Sequence, residues 1–179
     1  MHIFFDPSLQ VPILETERLR LRGHRMEDFS SSAAMWADPK VTCNLGVNPL
    51  TREDAWTRFL RYIGHWSLMG FGYWVIEEKE NGEFVGEIGF ADYKRDLVPS
   101  LNGTPEIGWV LASSTHGQGF ATEAAHRVLA WGDANFTPAR TACMITPENL
   151  ASIRVAAKCG FQEVQKTTYK GHTVLLFIR

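Results

Sequence analysis

The chain has few cysteines, almost no net charge and no long hydrophobic run. Its three cysteines, Cys43, Cys143 and Cys159, are far apart and odd in number, with no Cys-x-x-Cys. They read as reduced, mostly buried thiols of a cytoplasmic protein. Lys plus Arg number 18 against 20 Asp plus Glu, a formal charge of −2. No basic patch runs through the sequence, so a nucleic-acid partner is not indicated. No apolar stretch approaches the ~18 residues of a membrane span. The N-terminal MHIFFDPSLQ has no basic n-region, and its apolar run is too short for export. His24, His65, His116, His126 and His172 are scattered without metal-ligand spacing. No Ser-His-Asp or Cys-His arrangement is legible, so a covalent intermediate on the protein is not favoured. No repeat, low-complexity tract or linker interrupts the chain. At 179 residues and 45% hydrophobic, it reads as one domain over 1–179, with 1–12 an extended arm.

What is present centres on Pro105 to Asn135, PEIGWVLASSTHGQGFATEAAHRVLAWGDAN. Ile107 to Leu111 is an apolar run of the length of a buried strand. Gly117 and Gly119 then bracket Gln118 in a polar turn. Beyond them, Ala121, Ala124, Ala125, Val128 and Leu129 follow the spacing of one helical face. A strand therefore feeds a glycine loop, and the loop opens a helix. The first N–H groups of a helix lack partners within it and lie at the positive end of its dipole. Glycines let a backbone approach an anion closely, so the turn suits a phosphate. It is not a P-loop, because no Lys-Ser or Lys-Thr follows. It lacks the third glycine of a dinucleotide fingerprint.

GQGFATEA after EIGWVL resembles the acyl-CoA-binding motif of the GNAT N-acetyltransferase superfamily. That motif reads Gln/Arg-x-x-Gly-x-Gly/Ala and here covers His116 to Ala121, with His116 standing where Gln or Arg is usual. With the early LETERLRLR and the later NLASIRVAAKCGF, the wording resembles the RimJ/RimL, ribosomal-protein-acetylating branch. The resemblance runs from about Ile13 to Arg179. It implies a mixed α/β fold: a twisted, mostly antiparallel sheet of about seven strands, splayed at the central strand, with helices on both faces. It implies acetyl-CoA as cosubstrate, held by Val110, Leu111, His116, Gly117, Gln118, Gly119, Phe120, Ala121, Thr122 and Asn149. The acceptor implied is an amine, either a protein N-terminus or a small molecule such as a polyamine, amino sugar or antibiotic. A homodimer is left open. The alternative is a non-catalytic acyl-CoA-binding module of the same fold.

The rest of the chain divides readily. Leu19 and Leu21 alternate with arginines as a strand with one wet face. Met26 to Ala37 reads as a helix stopped by Pro39, with Phe29, Ala33, Trp36 and Ala37 on one face, and Val41 to Pro49 as a loop. Thr51 caps a helix to about Ser67, with Ala55, Trp56, Phe59, Leu60 and Ile63 inward. Phe71–Glu78 and Phe84–Tyr93 form a hairpin about Asn81-Gly82. Arg140–Thr146 is a strand. Asn149–Lys158 is a helix with Leu150, Ile153 and Ala157 inward. Phe161–Lys170 and His172–Ile178 close the chain as a hairpin.

Acetyl transfer to an amine needs a proton acceptor, an oxyanion donor and, where required, an acid for the thiolate. Glu106, at the start of the central strand, is the candidate base, against the reading of a strand-end carboxylate paired with an arginine. Glu87 and then Asp92 stand behind it. A backbone N–H near Val110 or Leu111 is the candidate oxyanion donor. Ser152 matches the Asn-x-x-Ser/Ala of the later motif and is the candidate acid. Many members of the superfamily have a tyrosine where this chain has Ala156, so that role passes to Ser152 or is vacant. A thiol leaves readily, with a free pKa of about 8.5.

Overall fold

A computed structural model describes residues 11–137 and 140–179; most of the expected 1–12 arm lies outside them. The strands are β1 (Leu14–Glu15), β2 (Leu19–Arg22), β3 (Tyr73–Glu78), β4 (Phe84–Ala91), β5 (Glu106–Leu111), β6 (Ala142–Ile145), β7 (Gln162–Tyr169) and β8 (His172–Ile178). The helices are α1 (Phe29–Ala37), α2 (Pro39–Thr42), α3 (Arg52–Met69), α4 (Phe120–Asn135) and α5 (Leu150–Lys158). The strands form one sheet in the order β1-β2-β3-β4-β5-β6-β8-β7. Every neighbouring pair is antiparallel except β5–β6. The sheet has eight strands rather than about seven. The additional one is the two-residue β1, too short to carry a period-2 signal.

Turn chemistry fixes both hairpins. Gly82 has φ 73° and Asn81 Oδ1 accepts from the Glu83 N–H at 2.8 Å. Lys170 and Gly171 have φ 50° and 82°, the paired positive angles of a two-residue hairpin turn. Thr51 caps α3, its Oγ1 accepting from the Asp54 N–H at 3.1 Å.

Several inward faces differ from the expected ones. In α3 the buried stripe is Ala55, Phe59, Tyr62 and Trp66, while Leu60 and Ile63 are exposed. The stripe follows i, i+4, i+7, i+11, and the large aromatics outweigh the aliphatics for the space against the sheet. In α5, Leu150 and Ala157 face out, and Ala156 is the fully buried residue. In α1, Ser32, Ala33, Met35 and Trp36 are buried, Phe29 is half-buried and Ala37 is exposed. Pro39 does end α1, but it occupies the first turn of α2, capped by Asp38. The expected Val41–Pro49 loop therefore begins in helix. The arginines of β2 are not uniformly wet. Arg22 is buried, with Nη1 and Nη2 on Asp28 at 2.7 and 2.8 Å and Nε on Glu77 at 2.7 Å.

The main core lies between the sheet and α4. Trp66, Trp74, Phe90, Ile107, Val128 and Leu129 belong to it. Among the described residues, no helix is long and apolar enough to cross a membrane.

Candidate active site

The site starts from one strand pair that fails to continue. β5 and β6 share a single registered pair, Glu106↔Ala142, and then part. The splay leaves one flank of Gly108 to Leu111 without a strand neighbour, so backbone N–H and C=O groups there are available to a ligand. Two open cavities of about 260 and 360 Å³ occupy the gap. Both are lined by Asn44, Leu45, Trp109, Val110, Asn149 and Ser152, so they adjoin at those residues.

The second cavity collects the residues expected to hold acetyl-CoA. Val110, Leu111, His116, Gly117, Gly119, Phe120, Ala121, Thr122 and Asn149 all line it. Gln118 does not; its side chain donates to the Ser114 carbonyl at 3.3 Å. Gly117 and Gly119 have φ 79° and 84°, which L side chains rarely adopt, and Gly119 is the N-cap of α4. A Cβ on Gly117 would meet nothing within 4 Å, so the loop is open to an incoming anion. His116 also ties the loop to the end of β5, its Nε2 lying 2.9 Å from the Leu111 carbonyl.

Two residues lining this cavity had no assigned ligand role in the sequence. Arg154 and Lys158, one helical turn apart on α5, line it as two cations. Their i, i+4 spacing opposite the glycine loop was the available signal. Arg18, read as part of a wet strand face, holds the loop itself. Its Nη1 donates to the Gln118 carbonyl at 3.0 Å, and its Nε donates to Glu123 at 2.7 Å. Thr16 Oγ1 also donates to Glu123, at 2.6 Å. Burial would raise the Glu123 pKa, but the Thr16 and Arg18 hydrogen bonds outweigh it and hold the carboxyl below its usual range.

The first cavity is walled by Trp36, Arg58, Tyr62 and Tyr73 on one side and Tyr169 and His172 on another. Neither candidate base lines it. Glu106 is 7% exposed, and Arg95 takes both its oxygens, Nε at 2.7 Å and Nη2 at 2.8 Å. Arg95 lines the cavity in front of it. Glu87 is fully buried between α1 and β4. Ser32 Oγ and Trp36 Nε1 donate to it at 2.6 and 3.0 Å, and His24 Nε2 lies 3.4 Å away. Burial raises its pKa, but His24, Ser32 and Trp36 together outweigh that and hold the carboxyl low. Asp92 pairs with Lys94 outside the cavity.

Ser152 sits where the cavities join. Its Oγ accepts from Trp109 Nε1 at 3.2 Å, and its own O–H stays available to donate. Asn149 caps α5, its Oδ1 accepting from the Ser152 N–H at 3.0 Å. Ala156 lines neither cavity. Cys143 does line the first cavity, but burial, with Glu106 nearby, pushes its thiol well above the ordinary range, so it is not a nucleophile near neutral pH.

A strand-splayed α/β sheet with a glycine loop at a helix start is the arrangement that the resemblance to acyl-CoA-dependent transferases implies. The model of the acetyltransferase (GNAT) domain matches residues 18–162, and the chain belongs to that family. The uncharacterized N-acetyltransferase p20 of Bacillus licheniformis is 32% identical over 151 residues, covering 84% of this chain and 82% of that one. A solved GNAT-family acetyltransferase from Bordetella pertussis superposes with TM-score 0.83 at 31% identity, covering 94% and 99% of the two chains. RimL, a ribosomal L7/L12 α-N-protein acetyltransferase solved with coenzyme A, shares the fold with TM-score 0.73 at 17% identity, covering 94% and 97%. The protein is thus an N-acetyltransferase with acetyl-CoA as cosubstrate. The residues fit that cosubstrate, with an open glycine cradle and two cations facing a phosphate-bearing chain.

Proposed function

We propose that the protein moves an acetyl group from acetyl-CoA to a primary amine by direct attack in a ternary complex. One observation carries the reading: the two cavities adjoin at Trp109, Val110, Asn149 and Ser152. A thioester in the glycine-loop cavity and an amine in the other reach the same point without a relay on the protein. The C–N bond forms, the C–S bond breaks, and the amine's proton ends on solvent or on the departing thiolate. Bound, acetyl-CoA supplies an activated acyl carbon.

The chain's own contribution is mainly position and polarity. Backbone N–H groups near Val110 or Leu111 donate to the developing oxyanion. Ser152 donates to the sulfur. Glu106 and Glu87 are each committed to partners, so neither takes the proton directly. An α-amino group, with pKa roughly 7.7 to 8.0, is partly neutral near pH 7.5 without help. This favours an α-amine over a lysine-type amine, whose pKa is near 10.4. Peptide N-termini, as in the RimJ/RimL branch, and amino-acid-like small molecules both meet that condition.

The test is release of free thiol from acetyl-CoA across a panel of α-amines, alkyl amines and short peptides. Turnover that requires both an amine and acetyl-CoA, with initial rates showing a ternary complex, is expected. Ping-pong kinetics with a trapped acetyl-protein would overturn direct attack. Tight acetyl-CoA binding with no turnover on any amine would point to a binding module.

A further inference from the structure

We propose that the acceptor amine also carries an anion, a carboxylate or a phosphate, and that Arg58 recognises it. The inference rests on the reading of the first cavity as the acceptor site. Among the described residues, that cavity is lined by Arg58, Arg95, Lys170 and His172 and by no aspartate or glutamate. The charge of Arg95 is matched by Glu106. The charge of Arg58 is not matched: it takes part in none of the ion pairs among the described residues.

The placement of Arg58 is specific. It comes from α3, one residue before the buried Phe59. Its guanidinium carbon lies 3.9 Å from the Trp36 ring centre, so one face is covered by the indole. Its Nε is buried without a hydrogen-bond partner. A stacked guanidinium still presents its donors around its edge, in the fork that matches a carboxylate or phosphate. Burial opposes its charge, but a guanidinium does not give up its proton in a protein, and the group stays cationic. Glu87 and Glu106 stand behind this wall and do not line the cavity.

A desolvated cation without a counter-ion costs stability and is kept where something else supplies the anion. The same wall repels acceptors with several positive charges. Polyamines and aminoglycoside-like amino sugars are therefore the wrong substrate class, and anionic amines the right one.

The experiment uses matched acceptors: an amino acid against its amide, phosphoethanolamine against ethanolamine, and a tripeptide beginning with Asp against its Asn counterpart. The three pairs separate a free carboxylate, a phosphate and an acidic peptide as the source of the anion. In at least one pair the anionic member is expected to exceed its partner about tenfold or more in kcat/KM, the scale of a hydrogen-bonded charge pair. Arg58→Gln should bring that ratio to within about twofold, mainly through KM, while Arg58→Lys retains part of it. Thermal melts check that both variants fold. Calorimetric titration of the CoA-loaded protein with the same pairs reads the preference without chemistry. An anionic preference in binding without turnover would sustain the inference and count against the proposed reaction. Turnover in which neutral members or spermidine equal or exceed the anionic ones would overturn the inference and leave the reaction standing. A preference unchanged in Arg58→Gln, or no binding or turnover of any anionic member, would also overturn it.

Discussion

Individual residues change meaning once their partners are known. Glu106 occupies the expected strand end, yet both its oxygens face Arg95. Glu106→Gln should therefore act first on stability. Removing one partner of a mostly buried pair leaves the other charge exposed to a poor environment, at a cost of about 3 kcal/mol. Turnover of the folded variant should fall less than about tenfold, against the ~10²- to 10⁴-fold of a lost general base. Chemical denaturation and steady-state kinetics on one preparation separate the two roles. A hundredfold loss of turnover at unchanged stability would make Glu106 the base after all. Ser152→Ala removes a donor at the cavity junction and should lower turnover about tenfold with little change in melting temperature. An unchanged rate at every pH would show that the thiolate leaves unaided.

At the level of elements, the glycine loop works because three segments hold it. β5 ends in the Leu111 carbonyl that His116 meets, α4 supplies the helix start, and the turn between β1 and β2 supplies Thr16 and Arg18. Gly119→Glu puts a side chain on a residue at φ 84° and a negative charge beside the expected phosphates. Acetyl-CoA binding should be lost by calorimetry while circular dichroism keeps the native signal. Full affinity in a folded variant would move the cosubstrate elsewhere. Arg154→Glu with Lys158→Glu should weaken the same binding and flatten its dependence on salt, since two attractive charges become repulsive. The equivalent change at exposed Arg140 serves as the control.

For the molecule as a whole, acid stability is set by carboxylates that folding holds charged. Burial raises the pKa of Asp28, but Arg22 and the Arg25 N–H outweigh it, and the value is lowered. Glu87 and Glu123 are lowered in the same sense. A lowered folded pKa adds stability that is complete above the unfolded value of about 4 and is lost as pH falls through the folded one. The contribution of these groups should thus be constant above about pH 5.5 and decline below about pH 4. Melts across that range check the sign. Asp28→Asn should lower stability at neutral pH by about 3 kcal/mol and make the acid decline shallower. A decline equally steep in the variant would remove Asp28 from the set.

The local grammar of this chain was legible because each signal is carried by adjacent residues. Asn81-Gly82 and Lys170-Gly171 dictate their hairpins through backbone angles, and Thr51 and Asn149 cap their helices through side chains three residues from the amide they serve. The strand, glycine loop and helix of 105–135 likewise stand in the expected order, and the class of enzyme came from the resemblance of their wording to the GNAT motif. Tertiary structure decided everything that depends on residues far apart. Leu60 and Ile63 are apolar, but the packing of Phe59, Tyr62 and Trp66 against the sheet leaves them outside. In a linear reading Glu106 ranks ahead of Glu87 as the candidate base, and nothing local shows what either one touches. Ser32 and Trp36 are 55 and 51 positions from Glu87, and Arg95 is 11 from Glu106, so only folding could show that both were engaged. Arg58 acquires its meaning in the same way, from a cavity whose wall is assembled by segments that sequence alone does not place side by side.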